Sequence, residues 1–302
     1  MSEVVDGHRQ LDDVGHRSSV PLPPVVYHYT DARGFLGILE NRRLWLTDLA
    51  FMNDREELIF AVDEVLHAVE ARRHLLEPDA RMDDPEDAIR SRVNVLLGIE
   101  QHLVDLREGV EVLRAYAACF CDDGDQLSQW RGYAGGTSGF ALGFDRSKID
   151  QLAIGAGVGA KLGRVHYGVE APEIETLVAE LAMYASAHPG VEAEYQYQDV
   201  VNLLSRIKNP GFREERESRL VALLAHDPSR LSFRATASGL APYLECPFPP
   251  EALVEVVVGP GERQDVHALA ARQAIDKHGF RGSVDPFFDF KVRVRKSTIS
   301  YR

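Results

Sequence analysis

Residues 212–224 read "FREERESRLVALL", a run in which charged side chains lead straight into an apolar stretch. An extended backbone points alternate residues to opposite faces, so Glu215, Glu217 and Arg219 are expected on one face and Arg216 with Ser218 on the other. The following residues, 220–224, are apolar, so this strand is expected to enter a core with charges at its mouth. Two carboxylates and a guanidinium on one strand face have two readings. They form a solvated ion-pair row on an edge strand, or an acidic pair in a cleft whose ionisation the arginine tunes. Just upstream, Asn209 and Pro210 break a helical segment, so the charged run starts at a turn.

Three other clusters place polar residues where a strand or helix end is usually bland. In "YHYT" (27–30), His28 and Thr30 share one strand face and the two tyrosines the other. The ordinary role for His28 is a ring satisfied by a neighbouring carbonyl at a strand end; the functional one is a wall that faces a ligand. In "NDREE" (53–57), Asn53 or Asp54 caps a long helix, and Glu56 with Glu57 suits its positive N-terminal end. In "QWRGYAGGTSGF" (129–140), Trp130 and Tyr133 fall on one side of a helical turn, and the glycines allow backbone to approach a flat ligand. Trp130 taken alone is expected in a core.

Around these clusters, periodicity gives strands near residues 25–30, 44–49, 112–121 and 138–144, a lone strand over 161–168, and a basic final strand. A short helix over 31–42 carries an apolar stripe of Phe35, Leu36 and Leu39 behind an Asp31 cap. The helix from 53 to 76 shows Leu58, Val62, Val65 and Val69 on one face, and another starts near Pro85 with Asp83 or Asp84 as cap. Helices are also expected over 172–187, 191–207 and about 265–278. Strands and helices mix without a βαβ rhythm, which points to a compact α+β fold. The division expected is an arm over residues 1–22 and one α+β domain over 23–302, with a helical insertion at about 54–108. The "VVVGPG" turn (256–261) lacks the spacing of a dinucleotide fingerprint or a P-loop.

Composition narrows the function classes. A formal charge of −13 on 302 residues disfavours a general nucleic-acid-binding surface, while leaving room for a local nucleotide site. No apolar run approaches the ~20 residues of a membrane helix, and the start is polar and acidic, so a cytoplasmic protein with no membrane partner is expected. The three cysteines include Cys119 and Cys121, one residue apart, a spacing that makes no zinc half-site. Reduced core thiols and no metal site are expected.

Taken in order, "HYT", "LTDLAFMNDREE", "CFC", "LSQWRGYAGGTSGFALGF", "KNPGFREERESRL", "VVVGP" and "VRKSTISYR" closely resemble a bacterial family of unassigned function. That resemblance runs from about Val26 to the last residue. More distantly, a strand with histidine and threonine, an aromatic middle motif and a late Glu-x-Glu strand resemble the three-part signature of ADP-ribosyltransferases. The resemblance implies a split mixed β-sheet of the ADP-ribosyltransferase type that grips NAD, as substrate, in a central cleft. It implies a catalytic role for Glu217 at the ribose and for Glu215 at the acceptor nucleophile. His28 and Thr30 would hold the ribose, and Tyr133 or Trp130 would stack on nicotinamide, with Phe140 also permitted. Lys208 and Arg219 would meet the pyrophosphate or pair with the glutamates. The partners implied are a protein or nucleic-acid acceptor and an inhibitory partner protein, as for a toxin or phage-defence effector. Two other classes compete. One is a metal-dependent hydrolase or nuclease built on Asp54, Glu56, Glu215 and Glu217. The other is a non-catalytic module that recognises a nucleotide or a protein.

Overall fold

The computed structural model describes residues 22–52, 55–81, 83, 87–109, 114–134, 139–155, 158–168, 172–187, 193–224, 227–236, 239–280 and 292–300. Residues 1–21 of the expected N-terminal arm (1–22) and the Asn53 and Asp54 caps lie outside them.

Strand β1 (Val25–Thr30) ends at Asp31, whose carboxylate accepts the Gly34 N–H at 2.7 Å and so caps helix α1 (Ala32–Asn41). The helix stops at Arg42, in the left-handed region at φ 51°, and β2 (Arg43–Asp48) follows. The face that α1 buries is Phe35, Ile38 and Leu39 rather than the expected Phe35, Leu36 and Leu39. Ile38 and Leu39, three and four residues after Phe35, flank its line along the helix and share its face, whereas Leu36 is turned away from it and is exposed.

Helices α2 (Arg55–Leu76) and α3 (Ala88–Glu108) lie between β2 and β3 in the chain. The cap of α3 is Asp87, which accepts from the N–H groups of Ile89 and Arg90, so the helix begins later than the Asp83 or Asp84 cap would have placed it. The chain continues through β3 (Ala115–Cys121), α4 (Leu127–Tyr133), β4 (Phe140–Asp145), β5 (Gln151–Gly155), β6 (Val158–Arg164) and β7 (His166–Tyr167). Helices α5 (Pro172–Ala187) and α6 (Ala193–Leu204) lead into β8 (Ile207–Lys208) and a 3₁₀ turn, Pro210–Glu215. Strands β9 (Glu217–Leu223), β10 (Ser232–Thr236), β11 (Gly239–Pro247) and β12 (Leu253–Val258) follow, then α7 (Gln264–Lys277) and β13 (Arg293–Lys296). Strand β6 is not the lone strand expected over 161–168. It pairs with both β5 and β9.

One mixed sheet of 11 strands organises the described residues. Along one edge of β3, β9 pairs without a break from Ala115↔Leu223 to Cys121↔Glu217, and β6 and β5 continue outward. The other edge is shared. β2 takes the start of β3 (Thr47↔Ala117), β1 takes its end (Tyr27↔Cys121), and between them the sheet parts. One wing runs β2–β11–β10 and the other β1–β4–β12–β13. The first wing curls until β11 lies against β5, which gives the sheet the form of a half-barrel.

Each face has its own cover. The inner face, with Leu46, Phe120, Phe144 and Leu220, packs with α1 and α7 into the main core. On the outer face, α2, α3, α5 and α6 cover Ala115, Ala117 and Val221. Farther along the same face, α4 covers Tyr29, Cys121 and Ala141 with Trp130. Between these two covers lies the middle of β3 and the start of β9.

Candidate functional site

The turn before β9 sets the geometry of this uncovered stretch. Asn209 caps it by accepting the Gly211 N–H at 2.9 Å, Pro210 fixes its first φ, and Arg216 closes it at φ 44°. Glu215 therefore belongs to the turn and not to the strand, which starts at Glu217. The expected alternation of Glu215, Glu217 and Arg219 along one strand is replaced by a fold-back that brings Glu215 to the same cation as Glu217. Lys208 Nζ lies 2.6 Å from Glu215, 2.8 Å from Glu217 and 3.7 Å from Glu57, and 5.0 Å from the centroid of the Phe212 ring.

Arg219 completes the cluster. Its Nε donates to Glu217 at 2.7 Å, one terminal nitrogen donates to the Ser205 carbonyl at 2.9 Å, and the other pairs with Glu57 of α2. The Cys119 thiol, opposite Arg219 in register, also bonds Glu217. Tyr167 accepts the Glu217 backbone N–H at 2.7 Å. Three carboxylates thus meet two cations.

Burial opposes ionisation of Glu217, which is 5 % exposed, but the Arg219 and Lys208 charges prevail and hold its carboxyl down to about 2. Glu215 goes the other way. Burial, helped by the charges of Glu217 and Glu57, lifts it above the usual range against the pull of Lys208. Burial also raises the Cys119 thiol, the Tyr133 phenol and the Tyr167 phenol. The two acids are thus shifted in opposite directions by the same surroundings.

His28 sits where the sheet parts. As β1 leaves β3, the Cys119 carbonyl loses a backbone partner on that side, and the imidazole reaches across to it with Nδ1 at 2.9 Å. A carbonyl only accepts, so Nδ1 carries the hydrogen and Nε2 keeps its lone pair. Burial lowers the basicity of the ring, with the backbone bond opposing and the Arg234 charge reinforcing that shift. By alternation His28 lies on the face of Phe120, centroids 5.8 Å apart, whereas Tyr27, Cys121 and Glu217 pair in register on the other. The two residues are joined through Cys119, whose carbonyl serves one and whose thiol serves the other. Thr30 follows His28 on its face and lies at the first turn of α1, where a Cβ on Gly34 would come within 2.0 Å of its Oγ1.

Of the three aromatic candidates, one presents surface. Trp130 is fully buried, its indole N–H on Asp125 at 2.9 Å and its ring edge-on to Tyr29 at 4.7 Å, so it is a core residue and has no face to offer a nicotinamide. Phe140 is buried and stacks on Phe35 at 4.3 Å. Tyr133, one turn beyond Trp130, is 40 % exposed and close enough to Glu215, Lys208 and Glu217 to feel their charges.

Tyr167 and Arg234 were not singled out from the sequence, and Glu57 and Cys119 were named there only in structural roles. Glu57 reads as a helix-dipole partner, and its tie to Arg219 spans 162 residues, beyond the reach of any local pattern. The register that places Cys119 against Arg219 is likewise a tertiary outcome.

A family model described as a protein of unknown function (DUF2971) matches residues 129–220. That span holds Trp130, Tyr133, Lys208, Glu215, Glu217 and Arg219, and it agrees with the expected resemblance to an uncharacterised family. No curated protein and no solved structure matches the chain. No helix among the described residues is long and apolar enough to cross a membrane.

Proposed function

We propose that the protein is an NAD-consuming ADP-ribosyltransferase that moves ADP-ribose from NAD to a macromolecular acceptor. The observation that carries this reading is the excess of one carboxylate over cations in a buried cluster beside Tyr133 and the parting of the sheet. Breaking the bond between nicotinamide and ribose leaves the electron pair on the departing ring, and positive charge develops at the ribose carbon. A net-negative, largely desolvated cluster favours that charge more in the transition state than in the ground state. Glu217, held ionised by its two cations, is the stabilising group, and Tyr133 offers a flat surface to the leaving ring. The acceptor must lose a proton as it bonds to the ribose carbon. Glu215, raised and therefore more basic, takes it.

His28 suits the same substrate. Its neutral ring, with Nδ1–H fixed on a carbonyl, leaves an acceptor nitrogen matched to a ribose hydroxyl. Metal-dependent hydrolysis has weaker support, because Lys208 and Arg219 occupy the oxygens of Glu215 and Glu217 that a divalent cation would need, and two such positive groups repel it. Incubation with NAD and a panel of protein and nucleic-acid acceptors tests the reading. A mass increment of one ADP-ribose on an acceptor is the expected result. Saturable NAD binding with neither transfer nor nicotinamide release would instead support a recognition module.

A further inference from the structure

Lys208 and Arg219 are the cations that the resemblance offers to the pyrophosphate, yet both are committed. Each has 5 % of its side chain exposed and is shared among carboxylates and a backbone carbonyl, so a phosphate would have to displace Glu217 or Glu57 to reach them. Arg234 of β10 is different. It is exposed, has no carboxylate within ion-pair distance among the described residues, and donates instead to the hydroxyl of Thr47 at 3.1 Å.

Register explains that reach. Arg234 lies opposite Ala241 and Tyr243 lies opposite Thr47, so all four share one face of the β10–β11–β2 wing, and the Ala241 methyl is too small to block a guanidinium crossing β11. Thr47 in turn pairs with Ala117 on β3, two residues before Cys119. Ala117 and Cys119 alternate onto the outer face, so the Arg234–Thr47 pair lies on the same face as Cys119 and Glu217, beside the point where β1 and β2 diverge. An uncompensated guanidinium with a hydroxyl beside it is a donor set for phosphoryl oxygens, and the guanidinium fork matches them in pairs.

We propose that Arg234 and Thr47 form a phosphate subsite that binds the diphosphate of a nucleotide at the parting of the sheet. The nucleotide rests on the NAD reading above, whereas the phosphate subsite stands on its own residues. Titration calorimetry with ADP-ribose and with inorganic pyrophosphate tests it on the full chain as wild type, Arg234→Gln and Arg234→Lys.

Because Arg234 is exposed, both variants are expected to melt like wild type. Arg234→Gln is expected to weaken both probes by at least about tenfold, the scale of a charge-assisted contact. Arg234→Lys is expected to recover part of that loss, since it keeps the charge without the fork. Wild-type affinity in Arg234→Gln overturns the subsite. If pyrophosphate binding depends on Arg234 while neither ADP-ribose nor NAD binds, the subsite stands and the NAD reading falls. If wild type binds neither probe, the subsite is wrong.

Discussion

Glu217 illustrates how a carboxylate can be kept charged inside a protein. Desolvation alone would raise its pKa, and the neighbouring arginine and lysine more than reverse that, to about 2. The folded value lies below the ordinary 4.5, so the stabilisation it contributes is complete above about pH 4.5 and is lost as pH falls toward 2. Glu217→Gln removes the carboxylate that Lys208 and Arg219 share, leaving Lys208 to Glu215 and Arg219 to Glu57, which is expected to cost about 3–5 kcal/mol at neutral pH. Urea unfolding at pH 7 and again near pH 3 checks this, with the difference between variant and wild type shrinking at the lower pH. An unchanged difference would mean that Glu217 contributes shape rather than charge. His28 was legible as a polar residue on an apolar strand, and its ordinary reading has a partner in the structure. Its Nδ1 satisfies the Cys119 carbonyl within β3, where the sheet parts, rather than one at a strand end.

At the scale of elements, hydrophobic period and caps made α1, α2, α4, β1, β3 and β9 readable, since each buries one face against a continuous partner. The elements that escaped include β5 and the β10–β11 hairpin, which are partly exposed; Phe233 and Leu240 lie at the surface and Pro242 interrupts the run. Their strand character comes from the partners they meet rather than from composition. The charged run after Asn209 was misread for a local reason. Pro210 and the left-handed Arg216 make a turn of what looked like strand alternation, and only that turn lets Lys208 reach both glutamates. The junction of β1 and α1 offers a cleaner test of local packing. Gly34→Ala gains helix propensity of up to about 1 kcal/mol, but its Cβ would lie 2.0 Å from Thr30 Oγ1. A net loss of about 1–3 kcal/mol is expected, partly relieved when Thr30→Ala is added. Thermal unfolding of the two single variants and the double variant reads that coupling. Simple additivity would show that α1 and Thr30 do not press on one another.

For the whole molecule, the sheet parts at β3, and the elements that meet there carry polar groups on both of its faces. β1 carries an imidazole on the face of Phe120, while the β2 wing with its exposed guanidinium, β9 with the turn before it, and α4 with its phenol bring theirs to the outer face. The helical layer on the outer face is not a bystander, since Glu57 on α2 holds Arg219 and through it Glu217. Tyr133, Glu215, Glu217 and Arg219 stood out in the sequence as members of polar clusters, and the resemblance joined them with Lys208 into a set. Their meeting with Glu57 and Cys119 could not be read there, because it depends on how a helical layer seats on a sheet. Release of nicotinamide from NAD, quantified by chromatography for wild type, Glu215→Gln, Glu217→Gln and His28→Ala, probes the shared site most directly. The expected result is release by wild type, loss of at least about a hundredfold in Glu217→Gln, and weaker apparent NAD affinity in His28→Ala. Equal release by wild type and Glu217→Gln, or none above background from wild type, would contradict it.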